Sequence, residues 1–191
     1  MKKLILLTIL VVFSLSSFAQ RNNNEWFLSV GFNSVNSLGS HSPIFHPDEW
    51  ITQFPISAAV EFNWSEDFAI EQSITLNGFT EEDEIDGVDL KKDYNYLSFD
   101  THIKYYFGKH LFGRTSNIDW LDLYVNAGLG FFSIDETNIS ANLGGGALFW
   151  LNQNRSFGIR AQVIGKFAFN HSESGLDNNH YQYHLQAVFK L

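Results

Sequence analysis

Residues 121–131 read Leu121-Asp122-Leu123-Tyr124-Val125-Asn126-Ala127-Gly128-Leu129-Gly130-Phe131. Taken every second residue, Leu121, Leu123, Val125, Ala127, Leu129 and Phe131 are all apolar, and the residues between them are mostly polar or small. Successive side chains of a β-strand point to opposite faces, so this period of two describes a strand with one oily face. A helix of the same length would repeat its apolar residues every three to four positions instead.

The same period recurs along the chain. It runs through Trp26, Leu28, Val30 and Phe32, then Ile56, Ala58, Val60, Phe62 and Trp64, then Phe68, Ile70, Ile74 and Leu76 with Gln72 as a defect. Leu97, Phe99, Thr101, Ile103, Tyr105 and Phe107 follow, and beyond residue 131 come Ala141, Leu143, Gly145, Ala147, Phe149 and Leu151. Phe157, Ile159, Ala161, Val163, Gly165, Phe167 and Phe169 form the seventh set, and Tyr181, Tyr183, Leu185, Ala187, Phe189 and Leu191 the eighth. Most of these segments are near the roughly 9–11 residues that a tilted strand needs to cross a bilayer. Aromatic residues gather at segment ends: Trp26, Trp64, Phe68, Phe107, Trp120, Phe157 and Phe169. Such ends match the aromatic girdles that sit at headgroup level around membrane barrels. The expected fold is therefore all-β, an eight-stranded antiparallel up-and-down transmembrane β-barrel whose oily face points to lipid.

Composition and connections agree. The 191 residues are 45% hydrophobic and 16% aromatic but only 17% charged, with 14 Gly, three Pro and no Cys. That excludes a disulfide scaffold or a cysteine zinc module. Formal net charge is −9, which disfavours phosphate backbones, so nucleic acid is not an expected partner. All three prolines (Pro43, Pro47, Pro55) lie in or beside the first long link, leaving the strand interiors free of proline as a closed ladder requires. Short links at Ser65-Glu66-Asp67 and at residues 152–156 alternate with long polar ones, as short periplasmic turns alternate with outer loops. Two links break that alternation: residues 108–120 are long for a turn, and residues 135–138 short for an outer loop.

The stretch Leu143-Gly144-Gly145-Gly146-Ala147-Leu148-Phe149-Trp150-Leu151 and the hairpin after it, closing on Gly165-Lys166-Phe167-Ala168-Phe169, resembles the penultimate hairpin of OmpA-like barrels of the Bacteroidetes type. His180-Tyr181-Gln182-Tyr183-His184 and Val188-Phe189-Lys190-Leu191 resemble that family's last strand, with Leu191 in place of the usual terminal aromatic and Gln186 where glycine is usual. The resemblance covers the barrel domain only, with no peptidoglycan-binding domain behind it. It implies a porin-like fold in the cell envelope, contact with outer-membrane lipid, and handling by the barrel-assembly machinery through the C-terminal strand.

Residues 1–19 carry a basic start (Lys2, Lys3), an apolar run over residues 4–15 and the small-residue motif Ser17-Phe18-Ala19. Such a stretch reads as an export signal peptide cut before Gln20, too short for a membrane helix. Residues 20–191 are then the outer-membrane β-barrel domain, both ends in the periplasm.

A barrel of eight strands has room only for side chains inside. The face opposite the oily one carries Glu61, Glu71, Asp100 and Asp122 with Lys104, Arg160, Lys166 and Lys190. Four acids and four bases in so narrow a space are expected to pair, because an isolated buried ion is costly. The expected product is a charge-paired plug; a gated ion path is the sharper alternative. Gly128, Gly130, Gly144 and Gly146 fall on the same inward face and would relieve crowding there.

Other groups carry less. Residues 81–89 hold six acids, a candidate calcium loop that lacks the regular ligand spacing of an EF-hand. His41, His46, Asp48 and Glu49 have metal-ligating side chains without a ligand spacing. His171-Ser172-Glu173-Ser174 has the residue types of a hydrolase, but no Gly-x-Ser-x-Gly elbow occurs. No cofactor, no metal and no catalytic residue is expected. The functional expectation is a non-enzymatic barrel serving envelope integrity or surface contact through residues 34–55, 77–93 and 170–180. A lipid A-modifying enzyme at the outer rim is the alternative.

Overall fold

The computed structural model describes residues 24–37, 51–81, 84–85, 88–89, 91–112, 118–134, 136–169 and 179–191. Eight long strands close on themselves: β1 (Glu25–Ser37), β2 (Ile56–Asn63), β3 (Phe68–Phe79), β6 (Tyr94–Tyr106), β7 (Leu121–Ser133), β8 (Thr137–Trp150), β9 (Phe157–Ala168) and β10 (His180–Lys190). Between β3 and β6, the pairs β4 (Glu84–Ile85) and β5 (Val88–Asp89) form a separate two-stranded ribbon, and α1 (Gly108–Phe112) follows β6. Each barrel strand pairs antiparallel with its chain neighbour, and β1 pairs with β10 to close the ring, for example Leu28 opposite Phe189 and Phe32 opposite Leu185. Closure leaves no unpaired edge, the condition for a sheet to survive in hydrocarbon.

The faces fall as the period of two demands. The oily set stands outward, with Phe32 68% and Leu143 62% exposed, while Lys104, Arg160 and Lys166 inside have no exposure at all. A soluble protein would show the reverse. This is the surface of a transmembrane barrel.

Local chemistry sets the turns. In the β2–β3 connection the Ser65 hydroxyl accepts from the backbone N–H of Asp67 (3.3 Å) and Phe68 (2.9 Å), closing the four-residue turn 64–67. Between β8 and β9 the Asn152 carboxamide oxygen accepts from Ser156 (3.0 Å) and Phe157 (3.2 Å), with Arg155 at φ 50°. The Arg155 guanidinium also donates to the carbonyl of Asp119 at 2.9 and 2.6 Å, tying that turn to the β6–β7 link. These short connections lie at the end of the barrel that also holds Asn24 and Leu191.

Two expectations about links need correction. Residues 34–37, 77–79 and 180, counted with the outer loops, belong to β1, β3 and β10. Asn77 among them donates to Asn33 at 2.9 Å and to the Ile51 carbonyl at 2.8 Å. The long 108–120 link holds α1, and Thr137 and Asn138 of the short 135–138 link belong to β8.

Candidate functional site

The interior is layered along the barrel axis. At mid-height Arg160 from β9 donates to Glu71 of β3 and Glu61 of β2, both at 2.6 Å, and to the Ser29 hydroxyl at 3.1 Å. Lys104 of β6 donates to the same carboxylates at 2.5 and 3.1 Å. The Tyr106 hydroxyl donates to Glu61 at 2.7 Å. The Tyr124 ring lies 4.6 Å from the Lys104 ammonium and 5.7 Å from the Arg160 guanidinium. Two acids and two bases thus meet from four strands, and their charges cancel.

A second cluster sits nearer the end opposite the chain termini. Lys166 pairs with Asp100 and donates to the Ser98 hydroxyl at 2.6 Å; Ser98 in turn donates to Asp100 at 2.6 Å. Asn142 donates to Asp100 at 2.8 Å, and the Ser140 hydroxyl to Asn142 at 2.7 Å. Room for these groups comes from glycine. A Cβ on Gly130 would stand 1.8 Å from an Asp100 carboxylate oxygen, and one on Gly128 2.0 Å from the Thr101 carbonyl. Above this cluster Gln182 donates to the Tyr96 hydroxyl at 2.6 Å, and that hydroxyl lies 2.6 Å from His180 Nε2.

Of the eight charged residues assigned to the lumen, six (Glu61, Glu71, Asp100, Lys104, Arg160, Lys166) are gathered in these two clusters. The other two are elsewhere. Lys190 pairs with Glu25 at 2.6 Å at the rim, and Asp122 accepts from Trp150 Nε1 at 2.8 Å, with Arg155 3.9 Å away. Both lie at the first or last residues of their strands, where a lumen residue becomes a rim residue.

The polar layers are sealed by oil. Val35, Ile51, Phe79, Tyr96 and Phe132 pack together at one mouth, and Phe27, Leu148, Trp150 and Val188 towards the other. Ile51 comes from outside the strands and is held by reciprocal backbone hydrogen bonds with Val35 (3.0 and 3.3 Å). Sequence reasoning missed these plugs because it assigned one character to each face. The signal was there: Trp26-Phe27, Phe131-Phe132 and Leu148-Phe149-Trp150-Leu151 place apolar residues side by side, so one member must point inward.

The aromatic girdle residues are uneven. Trp26, Trp64, Phe68, Phe107, Trp120 and Phe157 stand at the rim shared with the chain ends, where Trp64 stacks on Phe68 at 6.1 Å; Phe169 is at the other rim. Residues 41–49 and 171–174 lie outside the described residues, as do 82–83 and 86–87 of the acidic stretch. Among the described residues no group of acids and histidines could hold a metal ion.

No protein-family model matches the chain, and no curated protein does. Solved structures do. The OprG outer membrane protein of Pseudomonas aeruginosa has 10% identity and a TM-score of 0.61, covering 92% of this chain and 99% of that one. The N-terminal β-barrel domain of OprF from Pseudomonas aeruginosa gives 16% and 0.53, covering 88% and 98%. Ail, the attachment invasion locus protein of Yersinia pestis, gives 17% and 0.51, covering 88% and 99%. At such identities the likeness speaks to architecture alone. The chain has the fold of the small eight-stranded β-barrels of bacterial outer membranes.

Proposed function

We propose that residues 20–191, freed from a signal peptide at residues 1–19, form a non-enzymatic barrel of the bacterial outer membrane, of the OmpA-like Bacteroidetes type. Its lumen is a charge-paired plug, and its outer connections serve envelope integrity or surface contact. The barrel-assembly machinery receives it through β10.

The observation that carries this reading is the complete burial of Lys104, Arg160 and Lys166 among carboxylates. A water-filled pore would leave such groups wet, so the interior supports a closed barrel that acts by its surfaces. The exposed apolar belt supports membrane residence, and the solved barrels above support an outer-membrane location.

The test is complementation. A deletion strain receives either the intact protein or a barrel whose connections 38–50, 80–93 and 169–179 are shortened. The intact protein restores detergent resistance or surface attachment, and the trimmed barrel, present in the outer membrane at equal amount, does not. Full restoration by the trimmed barrel refutes the reading. So does a lipid A mass spectrum altered by the deletion and altered equally by a triple substitution of His171, Ser172 and Glu173.

A further inference from the structure

The outward wall formed by β8, β9, β10 and β1 is not evenly packed. Two cross-strand rows run over it: Gly145 opposite Val163, Tyr183 and Ser34, and Ala147 opposite Ala161, Leu185 and Phe32. Gly145 in the first row and Ala147 and Ala161 in the second are small, and Tyr183, Leu185 and Phe32 beside them are large. With strands about 4.8 Å apart, the missing side chains at Gly145 and Ala161 leave a trough walled by Phe32, Tyr183 and Leu185. Its volume is about 440 Å³, within the roughly 300–1,000 Å³ of small-molecule pockets, and its lining is almost wholly apolar.

Ser34 and Tyr183 are the outward lining residues that carry a hydroxyl. Ser34 is an outward residue by parity, lines the trough, and is only 5% exposed. Its hydroxyl has no hydrogen-bond partner among the described residues. Buried hydroxyls are nearly always paired, so this one asks for a partner from outside the chain. Its height is informative too. Ser34 stands three residues from the end of β1, on the half of the barrel away from the chain ends, whereas Phe32 and Leu185 lie deeper.

We propose that this trough seats one acyl chain of a lipid A molecule of the outer leaflet, with the Ser34 hydroxyl donating to the carbonyl at the head of that chain. The proposal rests on the outer-membrane location given under Proposed function, with the barrel end that holds Asn24 and Leu191 facing the periplasm. It adds a bound lipid that the orientation alone does not require. The trough is continuous with the lipid-facing belt, so an acyl chain reaches it without crossing water. A chain moving from bulk lipid into the trough gains no hydrophobic free energy. Retention must come from dispersion contacts on three sides of the chain and from the single hydrogen bond, which join at the depth where an acyl chain meets its linkage.

Native mass spectrometry of the protein extracted from outer membranes in mild detergent tests this. Recovery in the outer-membrane fraction and heat-modifiable migration are scored first, so failure of the orientation shows there and not in the lipid count. The wild type retains one lipid A per barrel. Ala161→Phe fills the trough and lowers the lipid A-bound fraction about tenfold or more. Ser34→Ala keeps the trough and lowers it about three- to tenfold, the loss of one net hydrogen bond. Ile103→Phe, on the lipid face of β6, changes nothing. Wild-type protein that carries no lipid, or only phosphatidylethanolamine, overturns the proposal. Retention by Ala161→Phe at the wild-type level, or equal loss from Ile103→Phe, overturns it as well.

Discussion

Replacing Arg160 by Met removes one positive charge from a site that Glu61, Glu71 and Lys104 share. Arg160 contributes two charge-assisted hydrogen bonds at 2.6 Å and a third contact to Ser29. Hydrogen bonds to charged groups are worth about 1.5–3 kcal/mol each, and breaking a buried pair by removing one partner costs about 3–5 kcal/mol. Two carboxylates would then share one ammonium in a layer sealed by Phe27, Leu148, Trp150 and Val188 on one side. The cluster's net charge moves from zero to −1. The expected loss in unfolding free energy is therefore about 3–5 kcal/mol. Combining Arg160→Met with Glu61→Gln returns the cluster to neutrality, so the double variant should be more stable than Arg160→Met alone by at least about 1.5 kcal/mol. Equilibrium urea unfolding in lipid vesicles measures this, read by tryptophan emission, since Trp26, Trp64 and Trp120 are half-exposed at the rim. A single variant within about 0.5 kcal/mol of wild type would refute the charge-pairing argument. Simple additivity of Arg160→Met and Glu61→Gln would refute the claim that the two act as one unit.

The lipid face gives a complementary prediction: Val125→Arg, on the outward row of β7, costs about 2–4 kcal/mol in vesicles if it sits near mid-depth, and an unchanged unfolding midpoint would place that face wrongly. Gly128→Ala drives a methyl against the Thr101 carbonyl, so the barrel should lose about 1–3 kcal/mol or refold in lower yield, whereas Gly165→Ala, with nothing nearer than 3.4 Å, is tolerated. Trp150→Phe removes the Nε1–H that donates to the Asp122 carboxylate; we expect a loss of about 1.5–3 kcal/mol in vesicle unfolding. Ile51→Ala loosens the outer plug without touching a strand and should cost about 2 kcal/mol while leaving the Arg160 coupling intact.

How much of this could be read beforehand follows from what each feature depends on. Leu121 to Phe131 shows the period of two in one dimension, and each of the other strands repeats it, because alternation is a property of the extended backbone itself. The same alternation assigned Glu61, Glu71, Asp100, Lys104, Arg160 and Lys166 to one face. Which acid meets which base was not legible. Glu61 and Arg160 are 99 residues apart, and their meeting depends on the register of several strand pairs and on closure of β1 against β10. Nor could period alone show that Asp122 and Lys190 stop at the rim, since height in a barrel is set by strand stagger.

The chain by itself determined the eight barrel strands and the inversion that turns oil outward and charge inward, since backbone geometry converts local residue order directly into sides of a sheet. Only the tertiary structure decided the partners within the lumen, the apolar plugs at its two mouths and the trough under Ser34. Those depend on side chains from four or more strands arriving at one height, and that coincidence exists only once the ring has closed.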